Sequence, residues 1–261
     1  MDNLITTGSY VTGNEVNLKA PQSWRELSQK QLRYVFFLLS HFQTMEEVKT
    51  YMLLRFTGFK VVRKTPSGVY GYIRNNGRGK RHYFELKTWQ IQSLIHQFDY
   101  IDSYDDMGVR LDRIRGYRAV DVILKDVAFI DYLNMERLYQ LFISTKERKH
   151  IEKLACLLYR DKKGNPAKIK LDDTEEVAVL YWFGYVKAFF GKMFPHFFKP
   201  ATGNEQGRVN FLKIANAQLR VLTDGDVTKE KTVEQIPCLR ALTELNEKAR
   251  EAEEFKRKYN K

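Results

Sequence analysis

Cysteine is almost missing from this chain. Only Cys156 and Cys238 occur in 261 residues, and neither has a second cysteine at metal-ligand or redox spacing, so a disulfide framework and a cysteine zinc site are both excluded. Glycine is sparse at 15 residues, there is no internal repeat, and 43% of the chain is apolar, which excludes collagen-like, mucin-like and low-complexity classes. A long apolar run is missing too. The most apolar stretch, Val177 to Phe190, is interrupted by Lys187 and falls short of the ~20 residues that span a bilayer, so it reads as a core helix and no membrane partner is expected. Met1-Asp2-Asn3 is not the basic start of a secretory signal, and a reducing cytoplasm is the expected location.

Phosphate-cradling motifs are absent as well. No GxGxxG follows a strand pattern, and Gly203-Asn-Glu-Gln-Gly207 lacks the lysine that a nucleotide-binding loop would carry. Histidines 41, 82, 96, 150 and 196 show no paired spacing, so they outline no metal site. The expectation is no cofactor, no metal and no enzyme.

What is present is an aromatic-rich globular composition, with 17 Phe and 15 Tyr, and a net charge of +12. Residues 1–22 lack a sustained period, are punctuated by Gly8, Gly13, Asn14 and Pro21, and read as an arm. Ser28 with Gln31 is a capping-box pair ahead of Leu32, Val35, Phe36 and Leu39; Thr44 with Glu47 opens a second helix that Gly58 closes. The period then changes to two. Pro66-Ser67-Gly68 and Asn75-Asn76-Gly77-Arg78-Gly79 separate runs at Phe59–Lys64, Val69–Arg74 and Arg81–Leu86, which predicts a three-stranded meander, with Thr88 capping a helix through Ile91, Leu94, Ile95 and Phe98. The acids Asp99, Asp102, Asp105 and Asp106 mark a boundary.

The second half reads as helices. One carries Met135, Leu138, Tyr139 and Phe142; Ser144 with Glu147 is read as the cap of the next; Asp173 with Glu176 is read as the start of a central helix ended by Pro195 and Pro200. After a loop at Ala201–Gly207 comes a helix through Leu212, Ala215, Leu219 and Leu222, then a charged helix from Pro237 with a thin seam of Leu242, Leu245, Ala249 and Ala252. The expected fold class is α+β, mostly α: a helical hairpin plus a small antiparallel three-stranded meander, then a helical bundle and a C-terminal charged helix. The expected segments are 1–22, 23–105, 106–200 and 201–261.

Two fragments touch on chemistry. Glu85-Leu86-Lys87 is half of a metal-dependent nuclease pattern, but no Asp or Glu lies between Glu47 and Glu85 to complete it, so a cross-strand charge is the better reading. The stronger feature is charge. Residues 60–87 hold eight bases against Glu85 alone. Lys60, Arg63, Lys64, Arg74, Arg78, Lys80 and Arg81 are the candidate ligands of an anionic partner, and alternation places Tyr70, Tyr72 and Tyr83 where they can stack on bases. The plainer alternative has the tyrosines packed on a helix while the bases keep a sheet edge soluble.

Several motifs resemble a known group: Pro21-Gln-Ser-Trp24-Arg-Glu-Leu27-Ser-Gln-Lys-Gln31-Leu, Leu157-Leu-Tyr159-Arg, Leu222-Thr-Asp-Gly-Asp226-Val-Thr-Lys, and Ala241-Leu-Thr-Glu-Leu-Asn-Glu-Lys-Ala249. In this order they are similar to structural and assembly proteins of Bacteroidetes phages and prophages. None of them is a catalytic signature. The resemblance implies a virion or virion-assembly component of the neck, head–tail connector or tail-assembly kind. Its partners would be other virion proteins and further copies of itself, with arms that clasp neighbours and a basic surface available to DNA. A nucleic-acid-binding protein of the bacterial cytoplasm is the alternative, and a metal-dependent nuclease the third. The flanks 1–22 and 242–252 are expected to mediate assembly.

Overall fold

The computed structural model describes residues 9–12, 15–199 and 211–259. Gly8, Gly13, Asn14, Pro200 and the Ala201–Gly207 loop lie outside the described residues. The fold is α+β and mostly helical, with small antiparallel sheets. It comprises two units, Met1–Val109 and Arg110–Lys261.

In the first unit, β1 (Tyr10–Thr12) and β2 (Glu15–Asn17) form a hairpin. Val11 and Leu18 pack against the unit's own Phe59, Ile73 and Leu86, and the Val11 amide donates to Asn75 Oδ1 (3.0 Å). The described part of the expected clasping arm therefore docks on the sheet that follows it. The hairpin α1 (Gln29–His41) and α2 (Met45–Thr57) starts where the caps indicate: Ser28 and Gln31 bond reciprocally, and Thr44 Oγ1 accepts from the Glu47 amide. Gly58 ends α2 at φ 75°, a left-handed conformation that a side chain would strain. Leu32, Val35 and Phe36 of α1 and Met52, Leu53 and Phe56 of α2 are buried.

The meander follows as β3 (Lys60–Thr65), β4 (Gly68–Arg74) and β5 (Arg81–Lys87), paired in sequence order. Its inner face brings Phe59, Val69, Ile73, Phe84 and Leu86 together with Leu54 of α2 and with Ile91 and Leu94 of α3 (Thr88–Ile95). Gly71 is required there because a Cβ would meet the Lys60 carbonyl at 2.3 Å and the Phe59 ring at 2.6 Å. Thr88 is not the cap of α3 but its first residue: its amide and hydroxyl bond to the Ser67 carbonyl, and Gln90 Oε1 accepts from the Lys87 amide instead. Residues His96–Asp102 continue as a 3-10 turn that buries Phe98 and Ile101.

The second unit opens with β6 (Arg113–Ile114) and β7 (Tyr117–Ala119), then α4 (Phe129–Thr145), α5 (Arg148–Leu158) and β8 (Tyr159–Arg160), which completes the second sheet. Ser144 does not cap α5. It lies in the last turn of α4, with its hydroxyl donating to the Leu141 carbonyl (3.1 Å), and Glu147 occupies the cap position. α6 (Asp173–Met193) is the central helix and buries Val179, Trp182, Phe183, Val186 and Phe190. Its cap is Asp172, paired with Glu175, one residue earlier than Asp173 with Glu176. Glu175 is buried and accepts from Arg115 Nε (3.1 Å), while Asp173 and Glu176 of the alternative pair both face Arg148 (3.0 and 3.1 Å).

α7 (Phe211–Thr223), α8 (Glu230–Glu234) and α9 (Cys238–Tyr259) finish the chain. α9 packs on α4 and α7, and the Cys238 amide donates to the Val127 carbonyl (2.9 Å). Leu242 and Leu245 are 0% and 3% exposed. They are core of this unit, not the seam left open for a neighbour that the helical spacing suggested. Of that set, Ala249 is half-buried and only Ala252 is exposed.

Candidate functional site

The outer face of the meander follows from its register. Tyr72 lies opposite Lys60 on one side and Tyr83 on the other; Tyr70 lies between Arg63 and Glu85; Arg74 faces Arg81; Gly68 sits between Thr65 and Lys87. Directly opposed residues share a face. One surface therefore carries Lys60, Arg63, Arg74, Arg81 and Lys87 with Tyr70, Tyr72 and Tyr83, and Glu85 as its acid.

Strict alternation along β3 would not do this, because Lys60 and Arg63 are an odd number of residues apart. A bulge between Val61 and Arg63 absorbs Val62 and returns Arg63 to the side of Lys60. Lys64, opposite Val69, then falls on the other face. Arg78 and Lys80 sit in the exposed turn between β4 and β5, where Gly77 and Gly79 take φ of 75° and 78°.

The tyrosines pack on each other rather than on a helix. Tyr70 and Tyr83 stack at 6.1 Å and 16°, and Tyr72 lies 5.3 Å from Tyr83. Arg63 lies over the Tyr70 ring at 5.2 Å and Arg81 over Tyr72 at 4.9 Å. A guanidinium parked on a ring loses little, since its N–H donors radiate in its own plane and stay available to a phosphate or carboxylate. Among these three tyrosines Tyr83 is the most exposed, at 48%.

Glu85 is tied down. Its Oε1 accepts from Ser67 Oγ (2.6 Å) and from Thr65 Oγ1, and these bonds hold its carboxyl below the usual carboxylate range. No group of three or more His, Cys, Asp or Glu side chains placed for a metal ion occurs among the described residues. The acidic boundary stretch is held by a cation from the chain itself: Lys49 Nζ donates to Asp99 Oδ1 (2.6 Å) and Asp102 Oδ2 (2.7 Å). Asp99 is held below its ordinary value by that bond first, and then by His96.

Of the residues named as candidates, the sheet register brings Lys60, Arg63, Arg74, Arg81, Tyr70, Tyr72 and Tyr83 to one surface and puts Lys64 on the other. Sequence reasoning missed Lys87 as a member, although the same alternation that selects Tyr83 and Glu85 selects it. No family model, curated protein or solved structure matches the chain.

Proposed function

We propose that this chain is a non-enzymatic binding protein whose outer β3–β5 face takes the phosphate backbone of a nucleic acid, as a DNA-contacting component of phage virion assembly would. The observation that carries the reading is the layered face itself. Five bases on one side of a small sheet repel one another, and like charges directly opposed, as at Arg74 and Arg81, disfavour the sheet. A polyanion relieves that repulsion and releases its own counterions. The tyrosine stack adds a π surface on which an unpaired base can lie, worth ~1–3 kcal/mol per base.

Changing Arg74, Arg78, Lys80 and Arg81 to glutamate tests this with a labelled single-stranded oligonucleotide at low salt. Binding is expected to collapse while the far-ultraviolet circular dichroism stays unchanged. Tyr83→Ala separates the two anionic partners the face could take: it weakens oligonucleotide binding and leaves binding of an acidic peptide unaltered. Equal oligonucleotide affinity in wild type and the reversed variant refutes the reading.

A second reading, assembly with other virion proteins or further copies of the chain, is favoured by the far end of α9. There Phe255 and Tyr259 are 62% and 70% exposed with their rings 4.3 Å apart, next to exposed Ala252. Removal of residues 250–261 keeps Leu242 and Leu245 in place, so a loss of self-association in light scattering reports docking rather than unfolding.

A further inference from the structure

The small sheet of the second unit carries a charge pattern that its packing does not explain. Arg115 and Gly116 join β6 to β7 with φ of 47° and 88°, the two positive values of a tight type I′ hairpin. The turn sets the register, Arg113 opposite Arg118 and Ile114 opposite Tyr117, and β8 adds Tyr159 opposite Ala119 and Arg160 opposite Arg118. Ile114, Ala119 and Tyr159 go into the core. The pleat therefore lines up Arg113, Arg118 and Arg160 in one row on the other face, with neighbouring Cβ atoms about 5 Å apart.

The row has donors left over. Arg160 gives one terminal nitrogen to Asp131 Oδ2 (3.1 Å) and the other to the Gly164 carbonyl (3.2 Å), but its Nε is buried without an acceptor. Arg118 is exposed and makes no ion pair or hydrogen bond with the described residues. Both line an open depression of about 570 Å³ with Arg110 and Lys125. Arg110 is rigidly placed, its Nε donating to the Val120 carbonyl (2.7 Å) and its guanidinium lying 5.5 Å from the Trp182 ring.

Three acids share the depression, and each engages at least one carboxylate oxygen with nearby N–H donors. Asp121 Oδ1 takes the amides of Ile123 and Lys125, and Asp126 Oδ1 takes the Asp121 amide. Asp161 takes the amides of Lys163 and Asn165 and the Asn165 side chain, which hold its carboxyl below the usual range. The depression therefore holds four bases against three carboxylates, and Arg118 and Lys125 are the bases in it that make no ion pair with the described residues.

We propose that this depression binds the phosphate group of a small ligand, with Arg118 as the principal contact and Arg160 and Lys125 beside it. A guanidinium fork matches two oxygens of a phosphate, and a doubly charged oxyanion screens the arginine row. The volume lies in the range of small-molecule sites. This site is separate from the meander face and stands whether or not that face binds nucleic acid.

The test is calorimetric titration of pyrophosphate into the full chain at constant ionic strength held with sodium chloride, with inorganic phosphate as a second probe. Saturable one-site binding is expected in wild type. Arg118→Gln, which breaks no hydrogen bond or ion pair among the described residues, should weaken it by about tenfold or more with no change in Tm, and Lys125→Gln should weaken it by a smaller factor. The four-glutamate meander variant should bind pyrophosphate as wild type does. Absence of saturable binding, equal affinity in Arg118→Gln, or equal thermal stabilisation by chloride at matched ionic strength overturns the proposal.

Discussion

Leu242→Ala distinguishes core from seam on α9. The side chain is 0% exposed, with Cys238 one turn before it and the preceding Ala241 equally buried, and α9 rests on α4 and α7. Truncation removes the transfer free energy of the lost carbons and leaves a cavity whose walls, on three packed helices, relax only in part. Leu→Ala substitutions at such sites cost ~3 kcal/mol within a span of 2–5. For a unit of about this size each kcal/mol lowers Tm by about 2–4 °C, so the expected loss is ~6–12 °C. Adding Leu245→Ala, at 3% exposure, brings the total near the whole stability of an ordinary domain, and much of the second unit should then be unfolded. Ala252→Glu is the control and should stay within ~0.5 kcal/mol because that residue is exposed. The assay is thermal unfolding by circular dichroism, with sedimentation in parallel. A Leu242→Ala protein with wild-type Tm and weakened self-association would refute the packing argument.

Three further outcomes follow. Gly71→Ala should destabilise the first unit by about 1–3 kcal/mol in urea unfolding, because the added methyl meets the Lys60 carbonyl and the Phe59 ring, and binding at the tyrosine face should fall with it. Asp172→Ala should cost ~1 kcal/mol through loss of the α6 cap, measured by chemical denaturation, whereas Asp173→Ala leaves the cap intact and costs less. Glu85 and Asp99 both have folded-state values below their unfolded ones, so the stability they contribute is complete above the unfolded carboxylate range and is lost as pH falls through the folded values. Tm measured from pH 5 downward to pH 3 should therefore drop, and Ser67→Ala should make the drop shallower by removing the first cause of the Glu85 shift.

The legible parts of the fold were those with local causes. Ser28, Thr44 and Gly58 terminate helices through bonds to their own neighbours, and the two glycine-containing breakers divide β3, β4 and β5 without help from elsewhere. The misplaced starts lie where more than one start fits the pattern. Residues 172–176 offer two overlapping D-x-x-E pairs, each with an arginine partner, Arg115 at Glu175 and Arg148 at Asp173 and Glu176, and Ser144 is absorbed by α4, which runs on until Lys146 turns left-handed at φ 57°. The seam was misread because amphipathic spacing shows that one face of α9 is apolar but not which part of it α4 and α7 cover. At the candidate site, alternation grouped Tyr70, Tyr72 and Tyr83. It had no means of finding the bulge at Val62, which recruits Arg63 and releases Lys64. The arginine row of β6, β7 and β8 lies on strands of two or three residues, too short for any period to show.

The salt dependence of oligonucleotide binding tests the polyanion face most directly. Five bases share the outer surface, and if each neutralises one phosphate of a single strand the slope of log K against log salt is about −3.5, at ~0.7 per contact. Fluorescence anisotropy of a labelled single-stranded oligonucleotide over a tenfold range of salt gives this slope. Arg63→Gln with Arg81→Gln should make it shallower by about 1.4 and lower the affinity at every salt concentration. An identical slope in the wild type and the double variant, or binding indifferent to salt, would contradict the assignment of this face to a phosphate backbone.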